Sequence, residues 1–259
     1  MCSSDLGDIR NCIVALADAE PLMGRLLQYR FPFDEVPETL EGHAIGNLLI
    51  AALTAVEGGD FEEGVRQMNR VLAVRGQVLP VSPTPVSLHA RLRDGTVVDG
   101  QSAISRSVGI ERVWTTPSSV VPSEDALRAI GEADLVVLGP GSLYTSILPS
   151  LLVPELRDAI LASPALRVYV CNVATQRGET EGYDLADHVD ALLDHTRLGL
   201  VDLVLANGRL EAIDPVSWGG DPVALRWPPD HGTGAGVPRL VLDEVVDPER
   251  AHQIGRAHV

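Results

Sequence analysis

Between Ser123 and Leu205, short apolar runs alternate with stretches of helical periodicity, and this pattern most restricts what the chain can become. A helix is predicted over Glu124–Ile130, then an apolar strand over Asp134–Leu138. A glycine-rich turn and a helical stretch to Leu161 follow. The next strand spans Arg167–Cys171, a helix runs from Leu185 to about Thr196, and a third strand over Val201–Leu205 closes the series. Strands this short and this continuously apolar belong to a parallel sheet covered by helices on both faces. The expectation is an α/β fold: a three-layer α/β/α, Rossmann-like parallel sheet.

Upstream the pattern differs. Helical spacing marks Gly7 to Ala17, Thr39 to Val56 and Phe61 to Val74, with Asp60 as the N-cap of the last. Residues from about 80 to 118 read as β-rich, with Asp94-Gly95 and Asp99-Gly100 as hairpin signals. About 30 residues make a poor independent core, so this stretch is expected to be an insertion in one domain over residues 7–253. The ends carry a separate signal. Cys2–Leu6 and Ile254–His258 can be encoded by one short DNA word read on opposite strands, as a ligated sequencing adaptor would give. Residues 1–6 and 254–259 are therefore set aside from the fold, as a cloning scar would be.

Composition removes several functions. With 20 basic and 36 acidic residues the net charge is −16, which opposes nucleic-acid wrapping and anionic membrane surfaces. No apolar run approaches the roughly 20 residues that span a bilayer. Three cysteines without a Cys-x-x-Cys pair give neither a disulfide framework nor a zinc site, in keeping with a cytoplasmic protein. All 20 basic residues are arginine. A P-loop lysine and a Schiff-base lysine are thereby excluded, and phosphate would have to be held by backbone N–H groups, arginine or a metal.

Ligands of parallel sheets bind at the carboxyl ends of the strands, which here carry polar residues and glycine. Gly139 and Gly141 permit a tight turn after the first strand. The amides that follow, with the hydroxyls of Ser142 and Thr145 and with Tyr144 in the same cradle, are expected to hold a phosphate at a helix N-terminus. After the second strand, Asn172, Thr175 and Gln176 suit the reading of a base or sugar, and Glu179 suits acceptance from a sugar hydroxyl. Asp8 and Asn11 sit at the start of the first helix. His43 and Asn47 fall four apart on an apolar helix, where they either find partners in the core or face a cavity. His188 and His195, seven apart among aspartates, read as part of a solvated acidic face rather than a metal site. Ser142 lacks the Gly-x-Ser-x-Gly elbow of a nucleophile.

The blocks Gly7–Asp18, Gln28–Phe31, Gly42–Leu53, Val71–Gly76, Leu138–Ile147 and Tyr169–Asn172, in this order, closely resemble the gluconeogenesis factor (YvcK) family of the CofD-like superfamily. The resemblance implies a dimeric, non-catalytic protein that binds a UDP-sugar, supports cell shape and wall synthesis on gluconeogenic carbon, and needs no cofactor. Asp8, Asn11, His43 and Asn47 would then line the wall opposite the strand-end loops. The alternative implied by the superfamily is an enzyme that transfers phospholactate to a deazaflavin alcohol with magnesium. Members of the family begin with a strand, a Gly-Gly-Gly-Thr-Gly loop and an Asp-Asp-Gly-Gly-Ser-Ser-Gly segment, which would precede Gly7 and are absent here. The expected magnesium aspartate lies in that part, so no metal residue is assigned. Weak ligand binding and poor solubility are expected of a chain lacking its first βαβ unit.

Overall fold

The computed structural model describes residues 3–18, 21–33, 36–229 and 234–246. The chain divides into two compact units, where the sequence predicts one domain. The first comprises the residues up to Pro85 with Val121–Ala126; the second comprises Val86–Val120 and the residues from Leu127 onward. The helical segment has an apolar cluster of its own.

The first unit holds α1 (Ser3–Leu16), α2 (Pro21–Gln28), α3 (Ile45–Val56) and α4 (Phe61–Val71). Ile13, Leu27, Ile50, Phe61, Val65 and Met68 are buried together at its centre. Asp60 caps α4 by accepting from the Glu63 amide at 3.0 Å, as its place before the apolar run predicts. Helix α1 begins at Ser3, and Leu6, set aside with the adaptor-like residues, is buried in the same cluster. Met1, Cys2 and residues 254–259 lie outside the described residues.

The second unit contains two sheets. Strands β1 (Ser87–Leu92), β2 (Val97–Asp99) and β3 (Ile110–Thr116) form an antiparallel sheet in the order β2-β1-β3, with α5 (Gln101–Ile104) between β2 and β3. Asp94-Gly95 makes the predicted hairpin. Asp99-Gly100 does not: Gly100, at φ +84°, leads into α5 instead. After α6 (Glu124–Gly131) come β4 (Leu135–Leu138), α7 (Leu148–Leu151), α8 (Pro154–Ala162), β5 (Leu166–Val170), α9 (Leu185–His195), β6 (Leu203–Asn207), α10 (Pro215–Trp218) and β7 (Arg239–Asp243). The parallel sheet runs β4-β5-β6-β7. The fold is α/β, as predicted, with a fourth parallel strand, β7, beyond the three read from the sequence.

The steps from β4 to β7 all advance in one direction, so right-handed crossovers place α8 and α9 on the same face of the sheet. Tyr169, Val204 and Ala206 share one face and are buried. On the other face, Leu135 and Val137 are 52% and 49% exposed and Leu166, paired with Leu135, is 45% exposed. At the centre of this second face Val168, Val170, Leu203 and Leu205 are half-buried. No helix among the described residues is long and apolar enough to cross a membrane.

Candidate functional site

The carboxyl ends of β4, β5 and β6 bring most of the predicted residues together. Gly139 follows β4 at φ +84°, and a Cβ there would lie 2.9 Å from the Val170 carbonyl oxygen of β5. The turn thus requires glycine at 139 on two counts. Gly141 has no such need: a Cβ would meet Ile147 and Ser146 side-chain atoms at 3.8 Å. It is held instead by Asn172, whose Oδ1 accepts from the Gly141 amide at 3.2 Å and whose Nδ2 donates to the Gly141 carbonyl at 2.9 Å.

The predicted phosphate cradle is occupied from within. Residues Leu143–Ile147 form a π-helical turn, and the amides of Tyr144 and Thr145 donate to Glu179 Oε1 at 2.6 and 3.0 Å. Thr145 Oγ1 donates to Glu179 Oε2 at 3.1 Å, and Glu179 is 2% exposed. The amides of Ser146 and Ile147 donate to the Ser142 carbonyl. The turn does attract an anion, as free helix-start amides should, but the anion is the protein's own carboxylate. Glu179 therefore serves the turn and does not stand ready for a sugar hydroxyl.

Other predicted residues prove structural in part. Thr175 is buried, and its Oγ1 accepts from the Asp221 amide while its own amide donates to the Asp221 carbonyl. Gln176 donates through Nε2 to Ser142 Oγ at 2.8 Å, and its Oε1 is buried without a hydrogen-bond partner among the described residues. Tyr144 is buried, with its hydroxyl 2.8 Å from that of Tyr183. Beside these, Asn172, Asn207 and Val223 border a narrow cleft at the ends of β5 and β6 that is too tight to admit a water molecule. Asn207, the last residue of β6, adds a polar side chain; its Nδ2 donates to the Arg209 carbonyl at 2.8 Å.

Asp8, Asn11, His43 and Asn47 belong to the helical unit. His43 precedes α3 instead of lying on it; it is exposed, in a turn where its amide donates to the Leu40 carbonyl. Asn47 does lie on α3 and is buried, accepting from Arg10. Arg10 also donates to Asn11 and was missed in the sequence. The available signal was an arginine on the same helical stripe as Leu6 and Ile13.

The solvated face assigned to His188 and His195 is also corrected, since both are buried. Helix α9 is capped reciprocally by Asp184 and Asp187, and this sets the phase that turns both histidines inward. His195 Nδ1 donates to the Ala191 carbonyl at 2.7 Å, which leaves Nε2 to accept from the Val113 amide of edge strand β3 at 3.0 Å. Burial holds both histidines below their ordinary pKa; for His195 the nearby Arg112 acts in the same direction. The unfolded chain, with histidine near its ordinary value of about 6.5, then binds protons first as pH falls. Stability is expected to be full above about pH 7 and to decline below about 6.5, by at most about 1.4 kcal/mol per pH unit for each histidine. Urea midpoints at pH 7.5 and 5.5 measure this decline, and His195→Gln should reduce it. A midpoint unchanged over that range would contradict the assignment.

Residues 4–215 match the family model described as 2-phospho-L-lactate transferase CofD. The chain belongs to the CofD family. It is 49% identical over 203 residues to the gluconeogenesis factor of Halalkalibacterium halodurans, covering 78% of this chain and 62% of that protein. It is 48% identical over 202 residues to the gluconeogenesis factor of Bacillus subtilis, with the same coverage. The chain thus spans about three-fifths of the length of these curated relatives. A crystal structure of a UPF0052-family protein from Bacillus halodurans superposes with a TM-score of 0.81 at 41% identity, over 96% of this chain and 81% of that one.

Proposed function

We propose that this chain is the CofD-family part of a dimeric, cytoplasmic, nucleotide-sugar-binding regulator of gluconeogenic growth and cell-wall synthesis, with a UDP-sugar at the carboxyl ends of β4–β6. The observation that carries the reading is the near-half identity to proteins named gluconeogenesis factor. The local chemistry supports it. Gln176 spends Nε2 on Ser142 Oγ, so the Ser142 hydroxyl proton and Gln176 Oε1 form a neighbouring donor and acceptor. That pair complements the carbonyl and N–H edge of uracil, which guanine shares and which cytosine and adenine reverse.

Calorimetric titration with UDP-glucose and UDP-N-acetylglucosamine is expected to give weak, saturable heat, and CDP or ADP none. Absence of saturable heat at millimolar UDP-sugar, or equal heat from CDP, would reject the reading. The name of the matching family model favours the phospholactate transferase as the second reading. Product formation from the guanosine diphosphate ester of phospholactate, a deazaflavin alcohol and magnesium would establish it. Among the described residues no three His, Cys, Asp or Glu side chains converge as a metal site, so no step is assigned to magnesium here.

A further inference from the structure

We propose that the helical unit carries an oxyanion site centred on Arg10, which takes a phosphate group. Arg10 lies on the buried stripe of α1 and is 4% exposed. Its NH1 donates to Asn47 Oδ1 at 3.2 Å and its NH2 to Asn11 Oδ1 at 3.0 Å. The Nε–H is buried and has no hydrogen-bond partner among the described residues. A guanidinium has donors alone, so it fixes the orientation of each amide it touches. The oxygen of Asn11 is consumed, and its Nδ2 is left as a further donor beside the cation.

The electrostatics point the same way. Burial, and then Arg30, hold Arg10 below its ordinary pKa, with Asp8 acting in the opposite sense. Asp8 therefore offsets part of this charge, while Arg30 donates to the Gly42 carbonyl at 3.0 Å. A buried cation bonded to neutral amides and placed near a second arginine is an arrangement that an incoming anion relieves. The fold makes room for this side chain: a Cβ on Gly46 of α3 would lie 2.8 Å from Arg10 Cγ and Cδ. Phosphate suits the donor set, because it accepts hydrogen bonds from several planar N–H groups at once.

The site stands on the helical unit alone and does not depend on the nucleotide-sugar reading. Thermal unfolding of the chain is followed with inorganic phosphate, UDP or uridine at constant ionic strength, with chloride as the reference. Phosphate or UDP is expected to raise Tm by several degrees in a saturable manner, while uridine does not. A response to UDP at much lower concentration than to phosphate assigns the anion to a nucleotide; equal or stronger response to phosphate assigns it to the free ion. Asn11→Asp places a carboxylate beside Arg10. It is expected to raise Tm in the absence of phosphate and to weaken the phosphate response at least tenfold. Arg10→Met should also lose the response. If neither phosphate nor UDP differs from chloride in the unsubstituted chain, or if Asn11→Asp responds as that chain does, Arg10 is simply a tie between α1 and α3.

Discussion

Glu179→Ala is expected to destabilise the second unit by on the order of 3–5 kcal/mol, the largest effect of any side-chain truncation at the strand ends. The change strands the amides of Tyr144 and Thr145 and the Thr145 hydroxyl, all of which donate to this carboxylate. A buried donor left unsatisfied costs about 1–3 kcal/mol, against a total of about 5–15 kcal/mol for a typical domain. Glu179→Gln keeps an oxygen for the two amides and turns an NH2 group toward Thr145 Oγ1, which can accept. It should cost about 1–2 kcal/mol, the loss of charge assistance. Urea denaturation of the three proteins measures both values. A Glu179→Ala midpoint indistinguishable from that of the unsubstituted chain would show that the carboxylate does not organise the turn.

Gly220→Ala should be comparably severe for a steric reason. A Cβ at 220 would lie 1.8 Å from the Thr175 carbonyl oxygen and 2.8 Å from the Thr175 carbonyl carbon. Thr175 cannot retreat without breaking its paired hydrogen bonds to Asp221. Overpacking against backbone places the cost at roughly 3 kcal/mol or more. Gly141→Ala is the contrast, because a Cβ there meets side-chain carbons at 3.8 Å. It should stay within about 1 kcal/mol. Equal destabilisation by the two substitutions, read from their unfolding midpoints, would contradict the packing described here.

The parallel sheet was legible because β4, β5 and β6 are continuous apolar runs, which a strand between two layers demands. Strand β7 escaped because Leu240–Leu242 offers only three apolar residues between Arg239 and Asp243, and much of the strand is exposed. The place of the site was legible too, since strand ends carry ligands in such sheets. Its inner chemistry was not. Glu179 lies 34 residues from Thr145 in the chain, and a local reading of the glycine-rich turn sees free amides without the carboxylate that folds back onto them. His43 was misplaced for a different reason. The apolar run from Ala44 carries helical periodicity past its true start at Ile45, and periodicity alone does not locate a helix end.

Hydrogen–deuterium exchange of the chain with and without saturating UDP-N-acetylglucosamine tests most directly where a nucleotide sugar is held. Slower exchange is expected in peptides covering residues 139–147, 172–180 and 206–209, with β1 and β2 unchanged. Measurable binding heat accompanied by unaltered exchange in all three segments would place the ligand elsewhere and contradict the strand-end site.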